Sequence, residues 1–304
     1  MSEPEQTISP KSVLSTRGTF RELIETITPE VVTRLSDEIE EKLSRIPTRL
    51  NVYKYDAWGF HPDSARQLFL VTSVLYRYWF RVENHGIENL PAGRCLVIGN
   101  HAGQIALDAG MICVAALLEA EPPRILRGMG EFFLPNVPFL NILMHRLGSV
   151  VGTPKNCIDL LEHDEAVIAF PEGVRGISKL FWERYQLKEF GLGFMRLALA
   201  TGAPIIPVAV VGSEEQTIAI ANLETLGRRL GLPSLPITLT FPWLGLLGLV
   251  PLPVKYRIYW GKPMRFEGNP NDEDSAIRAK VADVQATIQK MVNVGLAERE
   301  SWFT

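Results

Sequence analysis

The sequence predicts a single α/β domain, a mostly parallel sheet flanked by helices, preceded by an N-terminal helical extension. Short apolar runs such as Cys95–Ile98 and Ile205–Val211 alternate with longer segments of helical periodicity. Strands that are apolar throughout are typical of parallel sheets covered on both faces. The chain has 304 residues, of which 46% are hydrophobic, and this is enough for one large domain with appendages.

The N-terminal extension is predicted over residues 1–63. Thr28-Pro29-Glu30 is typical of a helix start, because a capping Thr, an early Pro and an early carboxylate all favour that position. Apolar residues follow at spacings of three and four until Pro47 ends the helix. The first 25 residues are polar and lack an apolar core, so no signal peptide is expected.

Residues 64–83 are predicted as an apolar interfacial helix. The run from Ser64 to Arg81 is rich in Leu, Val and aromatic side chains and is interrupted by Arg66 and Arg77. Its uninterrupted apolar part is too short to span a bilayer. Aromatic residues with Arg near the helix ends suit a membrane surface, and a helix buried against the domain is the alternative.

Residues 84–270 are predicted as the α/β domain and residues 271–304 as a C-terminal helix, because the alternating pattern starts and stops there. The predicted strands are Cys95–Ile98, Arg124–Leu126, Ser149–Val151, Ala166–Phe170, Ile205–Val211 and Val254–Trp260. The predicted helices are Asp108–Glu119, Pro138–Arg146, Asn156–His163, Gly191–Thr201 and Ser275–Val294.

Charge is balanced over the chain but not locally. The formal net charge of −3 gives no reason to expect a nucleic-acid partner. Between Val174 and Arg196, five basic residues stand against two acidic ones. This excess suits an anionic substrate or lipid headgroups, and a solvated helix face is the alternative. The five basic residues are Arg175, Lys179, Arg184, Lys188 and Arg196.

Several kinds of site lack their motif. Cys95, Cys113 and Cys157 form no CxxC pair, so neither a zinc site nor a disulfide framework is indicated, and a reducing compartment is expected. The sequence has no metal-ligand spacing such as HExxH. It also has no Gly-x-Ser-x-Gly, so a serine hydrolase is not supported.

Two polar motifs follow predicted strands and are expected at the same edge of the sheet, where open α/β sheets bind their ligands. His101 lies on a Gly-containing turn after Cys95–Ile98, and Asp108 could orient its ring or cap the next helix.

The second motif, Phe170-Pro171-Glu172-Gly173, follows Ala166–Phe170. Arg175 could bind a phosphate, and Glu172 could accept from a hydroxyl or hold Arg175. A turn with a local salt bridge is the alternative. A base beside an anion-binding Arg favours acyl transfer to a hydroxyl.

These motifs resemble those of the glycerolipid acyltransferases, the PlsC-like or lysophospholipid acyltransferase family. The resemblance covers roughly residues 84–265 and lies in an ordered set of blocks. The blocks are Asn100-His101 through Asp108, Gly128 through Gly152, Phe170-Pro171-Glu172-Gly173 with Arg175, and Gly202-Ala203-Pro204-Ile205-Ile206-Pro207-Val208.

The resemblance implies a membrane-associated O-acyltransferase that works without a cofactor or metal. His101, paired with Asp108, would deprotonate a hydroxyl of a glycerolipid such as 1-acylglycerol-3-phosphate. The acyl donor would be a thioester, acyl-CoA or acyl-carrier protein. The enzyme would lie on the cytoplasmic face of a membrane as a peripheral or monotopic protein. The residues expected to bind substrate are Asn100, Gly103, Glu172, Gly173 and Arg175.

The sequence departs from the family pattern at two places. Six residues separate His101 from Asp108, where four are usual, and on one helix this would place them roughly 10 Å apart. Ala102–Leu107 must therefore turn back. The Arg that often closes the second block is absent, since Gly152 follows Val151. A related branch, which the sequence also resembles, contains monoacylglycerol and diacylglycerol acyltransferases and tolerates looser spacing. An acyltransferase for a neutral lipid alcohol such as monoacylglycerol is therefore an alternative, and a catalytically idle lipid-binding scaffold is another.

The segment Ile237–Pro253 contains no charged residue, and its three prolines forbid a continuous helix across a membrane. A charge-free loop of this length is costly to expose. It is therefore predicted to line an acyl pocket or to dip into lipid, with a buried core connection as the alternative.

Overall fold

The computed structural model describes residues 25–104, 106–130, 140–229 and 235–304. Its strands are numbered in chain order. They are β1 (Glu83–His85), β2 (Cys95–Gly99), β3 (Leu126–Gly130), β4 (Val150–Val151), β5 (Ala166–Ala169), β6 (Ile205–Val211), β7 (Ala219–Leu223), β8 (Leu235–Thr238) and β9 (Arg257–Trp260).

The helices lie between and around these strands. They are α1 (Pro29–Ser44), α2 (Pro62–Val74), α3 (Leu107–Leu118), α4 (Leu140–Arg146), α5 (Pro154–Glu162), α6 (Val174–Ile177), α7 (Gly193–Thr201), α8 (Glu224–Arg229) and α9 (Asp274–Glu298). The predicted helix Pro138–Arg146 begins partly outside the described residues, and residues 1–24 lie outside them as well.

Seven strands form the central sheet, in the order β1-β9-β6-β2-β5-β3-β4. The five from β6 to β4 run parallel, β9 is antiparallel to β6, and β1 is parallel to β9. Strands β7 and β8 form a separate antiparallel pair. The predicted α/β fold with a mostly parallel sheet is therefore confirmed.

Helices cover both faces of the sheet because its central strands are apolar on both sides. Val97 of β2 belongs to one core cluster, with Met111 of α3 and Phe69 of α2. Its neighbour Leu96 belongs to a second cluster, with Met195 of α7. Successive side chains of a strand point to opposite faces, so this single strand contributes to both cores.

The predicted bounds agree with the structure for some strands and differ from it for others. The predicted bounds of β6 agree with the structure. The strand predicted at Arg124–Leu126 instead begins at Leu126, because the backbone N–H of Arg124 bonds the carbonyl of Ala116 in α3 and not a neighbouring strand. The polar three-residue strand β1 was not predicted, since its sequence, Glu83-Asn84-His85, has none of the usual features of a strand.

The segment predicted as an interfacial helix, residues 64–83, packs on the domain, as in the alternative reading. Arg66 and Arg77, which suggested contact with lipid headgroups, bind Glu40 and Glu38 of α1 at 2.8 and 2.6 Å. The side chains of Phe69, Tyr76 and Phe80, among others, are buried in the core. Little of the apolar surface of this segment is therefore left for a membrane.

Within the part of the chain that the structure describes, no helix has both the length and the apolar character to cross a bilayer.

Candidate active site

The turn after β2 brings His101 and Asp108 together. His101 Nδ1 lies 2.9 Å from Asp108 Oδ2. Gly103 and Gln104 have φ values of +88° and +63°, and this left-handed backbone reverses the chain before α3 begins. Asp108 then lies in the first turn of α3, fully buried. The reversal that the wide spacing required is therefore present.

The His101 ring is fixed in both position and tautomer. A carboxylate only accepts hydrogen bonds, so the contact with Asp108 places a proton on Nδ1 and leaves the lone pair on Nε2. Asp108 Oδ2 also accepts the backbone N–H of Ala102 at 2.9 Å. The ring stacks on Phe170 with centroids 4.2 Å apart, and its side chain is 12% exposed. This arrangement can take a proton from a bound hydroxyl.

Glu172 holds the His101 turn from the opposite side. Its Oε1 accepts the backbone N–H of His101 at 3.0 Å. Its Oε2 accepts the backbone N–H of Lys188 at 2.7 Å and lies 3.2 Å from Lys179 Nζ. Both oxygens of Glu172 thus bond other parts of the chain, and Arg175 pairs with Glu189 and not with Glu172. The binding of a substrate hydroxyl by Glu172 stays a prediction.

Arg175 remains accessible. Its side chain is 57% exposed, and Nη2 donates to the carbonyl of Glu189 at 2.8 Å. Its ion pair with the Glu189 carboxylate is loose, at 3.8 Å and between exposed side chains, so the guanidinium can still bind an anion. Gly173 adopts φ 57° and ψ −144° just before α6, a conformation that glycine tolerates best. Gly173 therefore shapes the turn that carries Arg175.

Asn100 and Gly103 both form hydrogen bonds within the fold, and the substrate-binding roles expected of them stay predictions. Asn100 is fully buried, and its amide binds both the N–H and the C=O of Val210, at 2.7 and 3.1 Å. The Gly103 carbonyl accepts Gln216 Nε2 at 3.1 Å. A Cβ at position 103 would lie 2.7 Å from the backbone oxygen of Ser213, and φ is +88°, so this position favours glycine.

Sequence reasoning missed the polar segment after β6. Ser213, Glu214, Glu215 and Gln216 are all buried at the same sheet edge as His101. Glu214 Oε1 lies 3.0 Å from Lys179 Nζ, and burial raises the pKa of Glu214 to about 7. Four consecutive polar residues, separated from an entirely apolar strand by Gly212 alone, were the feature that could have identified this segment.

The basic excess between Val174 and Arg196, which was expected to suit an anionic substrate or lipid headgroups, is largely balanced by acidic neighbours. Four of its five basic side chains have acidic neighbours, and Arg184 lies over the Phe181 ring at 4.3 Å. The pairs are Arg175–Glu189, Lys179–Glu172, Lys188–Glu183 and Arg196–Asp274.

The three cysteines are free thiols. Burial raises the pKa of Cys95, Cys113 and Cys157 to about 12. Since the thiolate is the nucleophile, none of them is activated near neutral pH. Among the described residues, no group of three or more His, Cys, Asp and Glu side chains is placed to hold a metal ion.

This chain is similar to known proteins. The acyltransferase family model matches residues 81–211, which include His101, Asp108, Glu172 and Arg175. A relative from Mycobacterium tuberculosis, called an uncharacterized protein, is 35% identical over 257 residues, or 83% of this chain and 72% of the relative. The chicken (Gallus gallus) "DGAT1/2-independent enzyme synthesizing storage lipids" is 26% identical over 251 residues, or 79% and 71% of the two chains.

A solved structure has the same fold. The crystal structure of the 1-acyl-sn-glycerophosphate (LPA) acyltransferase PlsC from Thermotoga maritima superposes with a TM-score of 0.53 at 18% identity. The match covers 78% of this chain and 81% of that one. Together with the relatives and the ordered motifs, this likeness leads to one conclusion. The chain belongs to the PlsC-like family of acyltransferases.

Proposed function

We propose that this acyltransferase moves a fatty acyl group from a thioester, acyl-CoA or acyl-carrier protein, to a hydroxyl of a glycerolipid such as 1-acylglycerol-3-phosphate. The observation that carries the proposal is the 2.9 Å contact between His101 Nδ1 and Asp108 Oδ2, because it leaves Nε2 free to act as a base. The names of the chicken relative and of the Thermotoga maritima enzyme, which refer to storage lipids and to LPA, support the glycerolipid class.

In this reaction His101 Nε2 takes the hydroxyl proton as the hydroxyl oxygen attacks the thioester carbonyl. The new C–O bond forms, the C–S bond breaks, and the leaving thiolate takes the proton from the imidazolium, giving an ester and a free thiol. Asp108 stabilises the imidazolium in between. A positioned base of this kind contributes about 10²- to 10⁴-fold in rate.

The acceptor carries a phosphate in the first version of the proposal and is a neutral lipid alcohol in the second. The 57% exposed guanidinium of Arg175 supports the phosphate, since Arg binds phosphate oxygens in a bidentate manner. The storage-lipid name of the chicken relative favours the neutral acceptor. The absence of an Arg after Val151 favours it as well.

The loop before β9 supports association with a membrane. Residues 239–250 contain no charge and expose several large apolar side chains, with Trp243 at 72% and Leu247 at 76% exposure. Exposed apolar patches mark interaction surfaces, and Trp favours the membrane–water interface. We propose that this loop binds the enzyme to the cytoplasmic face of a membrane as a peripheral or monotopic protein.

The reaction is tested by measuring thioester-dependent acylation of lysophosphatidic acid and of monoacylglycerol in detergent micelles. His101→Ala should lose nearly all activity, while His163→Ala, which changes an exposed histidine on a remote surface, should keep it. A folded His101→Ala protein with full activity would rule out His101 as the base. Binding to liposomes without turnover of any thioester would favour the idle scaffold.

Membrane association is tested by sedimentation with vesicles of phosphatidylcholine and phosphatidylglycerol. Replacing both Trp243 and Leu247 with Ser should lower the bound fraction. Val71→Ser, which removes a 60% exposed side chain from α2, should leave it unchanged. The opposite pattern would move the membrane contact to residues 64–83.

A further inference from the structure

Lys179 touches the His101 turn by two separate routes. Its backbone carbonyl accepts Gln104 Nε2 at 2.9 Å. Its side chain is 2% exposed, and its Nζ lies 3.2 Å from Glu172 Oε2 and 3.0 Å from Glu214 Oε1. The Glu172 carboxylate thus links the Lys179 ammonium, at Oε2, to the backbone N–H of His101, at Oε1.

Four residues at this turn, Asn100, His101, Gly103 and Gln104, are held by groups that are distant in the chain. Asn100 bonds Val210, and the carbonyl of Gly103 accepts from Gln216. The N–H of His101 is held by Glu172, and Gln104 by Lys179. Of these contacts, the one to the reacting histidine depends on a carboxylate whose other oxygen faces a buried ammonium.

We propose that Lys179 is a positioning residue for His101, and that Glu214 fixes the Lys179 ammonium against Glu172. The inference rests on the proposed role of His101 as the base. Lys179 orients the Glu172 carboxylate. Glu172 in turn fixes the position of the His101 backbone relative to the carboxyl edge of the sheet. The ring is then held between Asp108 and Phe170 with Nε2 directed at the acceptor.

The charges of this cluster favour a role beyond packing. Burying an ion is costly unless it is paired, and here one ammonium is buried with two carboxylates. Burial alone lowers the pKa of Lys179, but Glu214 and Glu172 outweigh it and raise this pKa above its usual range. Lys179 therefore stays charged, and its pull on Glu172 persists over the pH range in which a histidine can act as a base.

The test uses the full chain and a matched control. Glu214→Gln neutralises one of the two carboxylates beside Lys179. Glu165→Gln does the same beside Arg127, which lies between Asp56 and Glu165. Both kcat and KM are measured for the acyl donor and the acceptor. The downfield proton resonance of His101 Nδ1–H, assigned by its loss in Asp108→Asn, reports the position of the ring.

We expect Lys179→Met to lower kcat by about 10- to 100-fold with KM changed less than about twofold, because small displacements of a catalytic group cost that much. Its Nδ1–H resonance should shift or broaden. Glu214→Gln should show a smaller loss of kcat, and Glu165→Gln should match the wild type in kcat and in this resonance.

Wild-type kcat in a folded Lys179→Met protein would overturn the inference, as would equal losses in Glu214→Gln and Glu165→Gln. If Lys179→Met does not fold, Glu214→Gln decides: reduced kcat with the resonance shifted supports the inference, and wild-type kcat overturns it. Full activity in His101→Ala would remove both this inference and the proposed base. An inactive His101→Ala with a fully active Lys179→Met would remove this inference alone.

Discussion

Two buried ion clusters lie at opposite edges of the central sheet. At the carboxyl edge, the Lys179 ammonium lies 3.2 Å from Glu172 and 3.0 Å from Glu214. At the amino edge, Arg127 of β3 lies 2.7 Å from Asp56 and 2.9 Å from Glu165. Each cluster buries one cation between two carboxylates.

The clusters differ in what they touch. Arg127 also lies 5.4 Å from the ring centroids of both Trp58 and Phe60, so its cluster joins the N-terminal extension to the sheet. The Lys179 cluster is linked through Glu172 to the backbone N–H of His101, whose side chain is partly exposed. Buried charge by itself thus does not identify a functional site. What distinguishes the Lys179 cluster from the Arg127 cluster is its connection to an accessible group that can exchange a proton.

The largest expected effect tests the carboxyl edge. Asp108→Asn should lower kcat by about 10³- to 10⁴-fold, because an amide can stabilise the wrong tautomer of His101 and cannot balance an imidazolium. The measurement is kcat at saturating substrate, with thermal unfolding as a check that the variant folds. A folded variant that keeps a tenth of the wild-type kcat would contradict the role of Asp108.

The next effect tests the amino edge and concerns stability. Arg127→Met leaves Asp56 and Glu165 without their cation, and breaking a buried ion pair costs about 3–5 kcal/mol. Urea denaturation should show this loss, while kcat per folded molecule stays at the wild-type value. A selective loss of kcat would mean that the two clusters do not differ as described.

A smaller effect distinguishes the two acceptors. Arg175→Met should lower kcat/KM by about tenfold or more for lysophosphatidic acid, since a charge-assisted hydrogen bond contributes about 1.5–3 kcal/mol. Monoacylglycerol should be nearly unaffected. Arg278→Met is the matched control, because Arg278 is similarly exposed and binds the same Glu189. Equal losses of kcat/KM for both acceptors would show that Arg175 does not bind the phosphate of the acceptor.

The smallest effect is a pH dependence of stability at the carboxyl edge. Burial raises the pKa of Glu214 from 4.5 to about 7, so the folded protein holds this proton more tightly than the unfolded chain. The resulting stabilisation is complete below pH 4.5 and is lost as the pH rises through about 7. Between about pH 5 and about pH 8, the wild-type Tm should therefore fall more than that of Glu214→Gln. An equal fall in both would contradict the raised pKa.

Local patterns predicted the fold and part of the site. The apolar run of β6 specified a buried strand, and Gly103 next to Gln104 allowed the reversal that the His101–Asp108 spacing required. The partners of the buried polar side chains could not be predicted in this way. Glu172 and His101 are 71 residues apart, and Lys179 and Glu214 are 35 apart, so these contacts depend on how the strands are ordered in the sheet.

The same limit explains why the pair of strands β7 and β8 was not predicted and why the basic segment was misinterpreted. Strand β8, with Pro236 in it, is recognisable only through its pairing with β7. The positive charges between Val174 and Arg196 looked unbalanced because two of their acidic partners, Glu214 and Asp274, lie in other parts of the sequence.

The buried amide of Asn100 has one more consequence. The backbone register of β2 with β6 runs to Gly99 and Val208, and the Asn100 side chain then bonds Val210 as a peptide group would. The strand in effect continues through a side chain while the main chain departs from it. The backbone N–H of His101 therefore lies outside the β2–β6 ladder, and it donates to Glu172 instead. Because the Asn100 side chain takes the place of a peptide group in the ladder, the main chain can leave the sheet at this point and form the His101 turn.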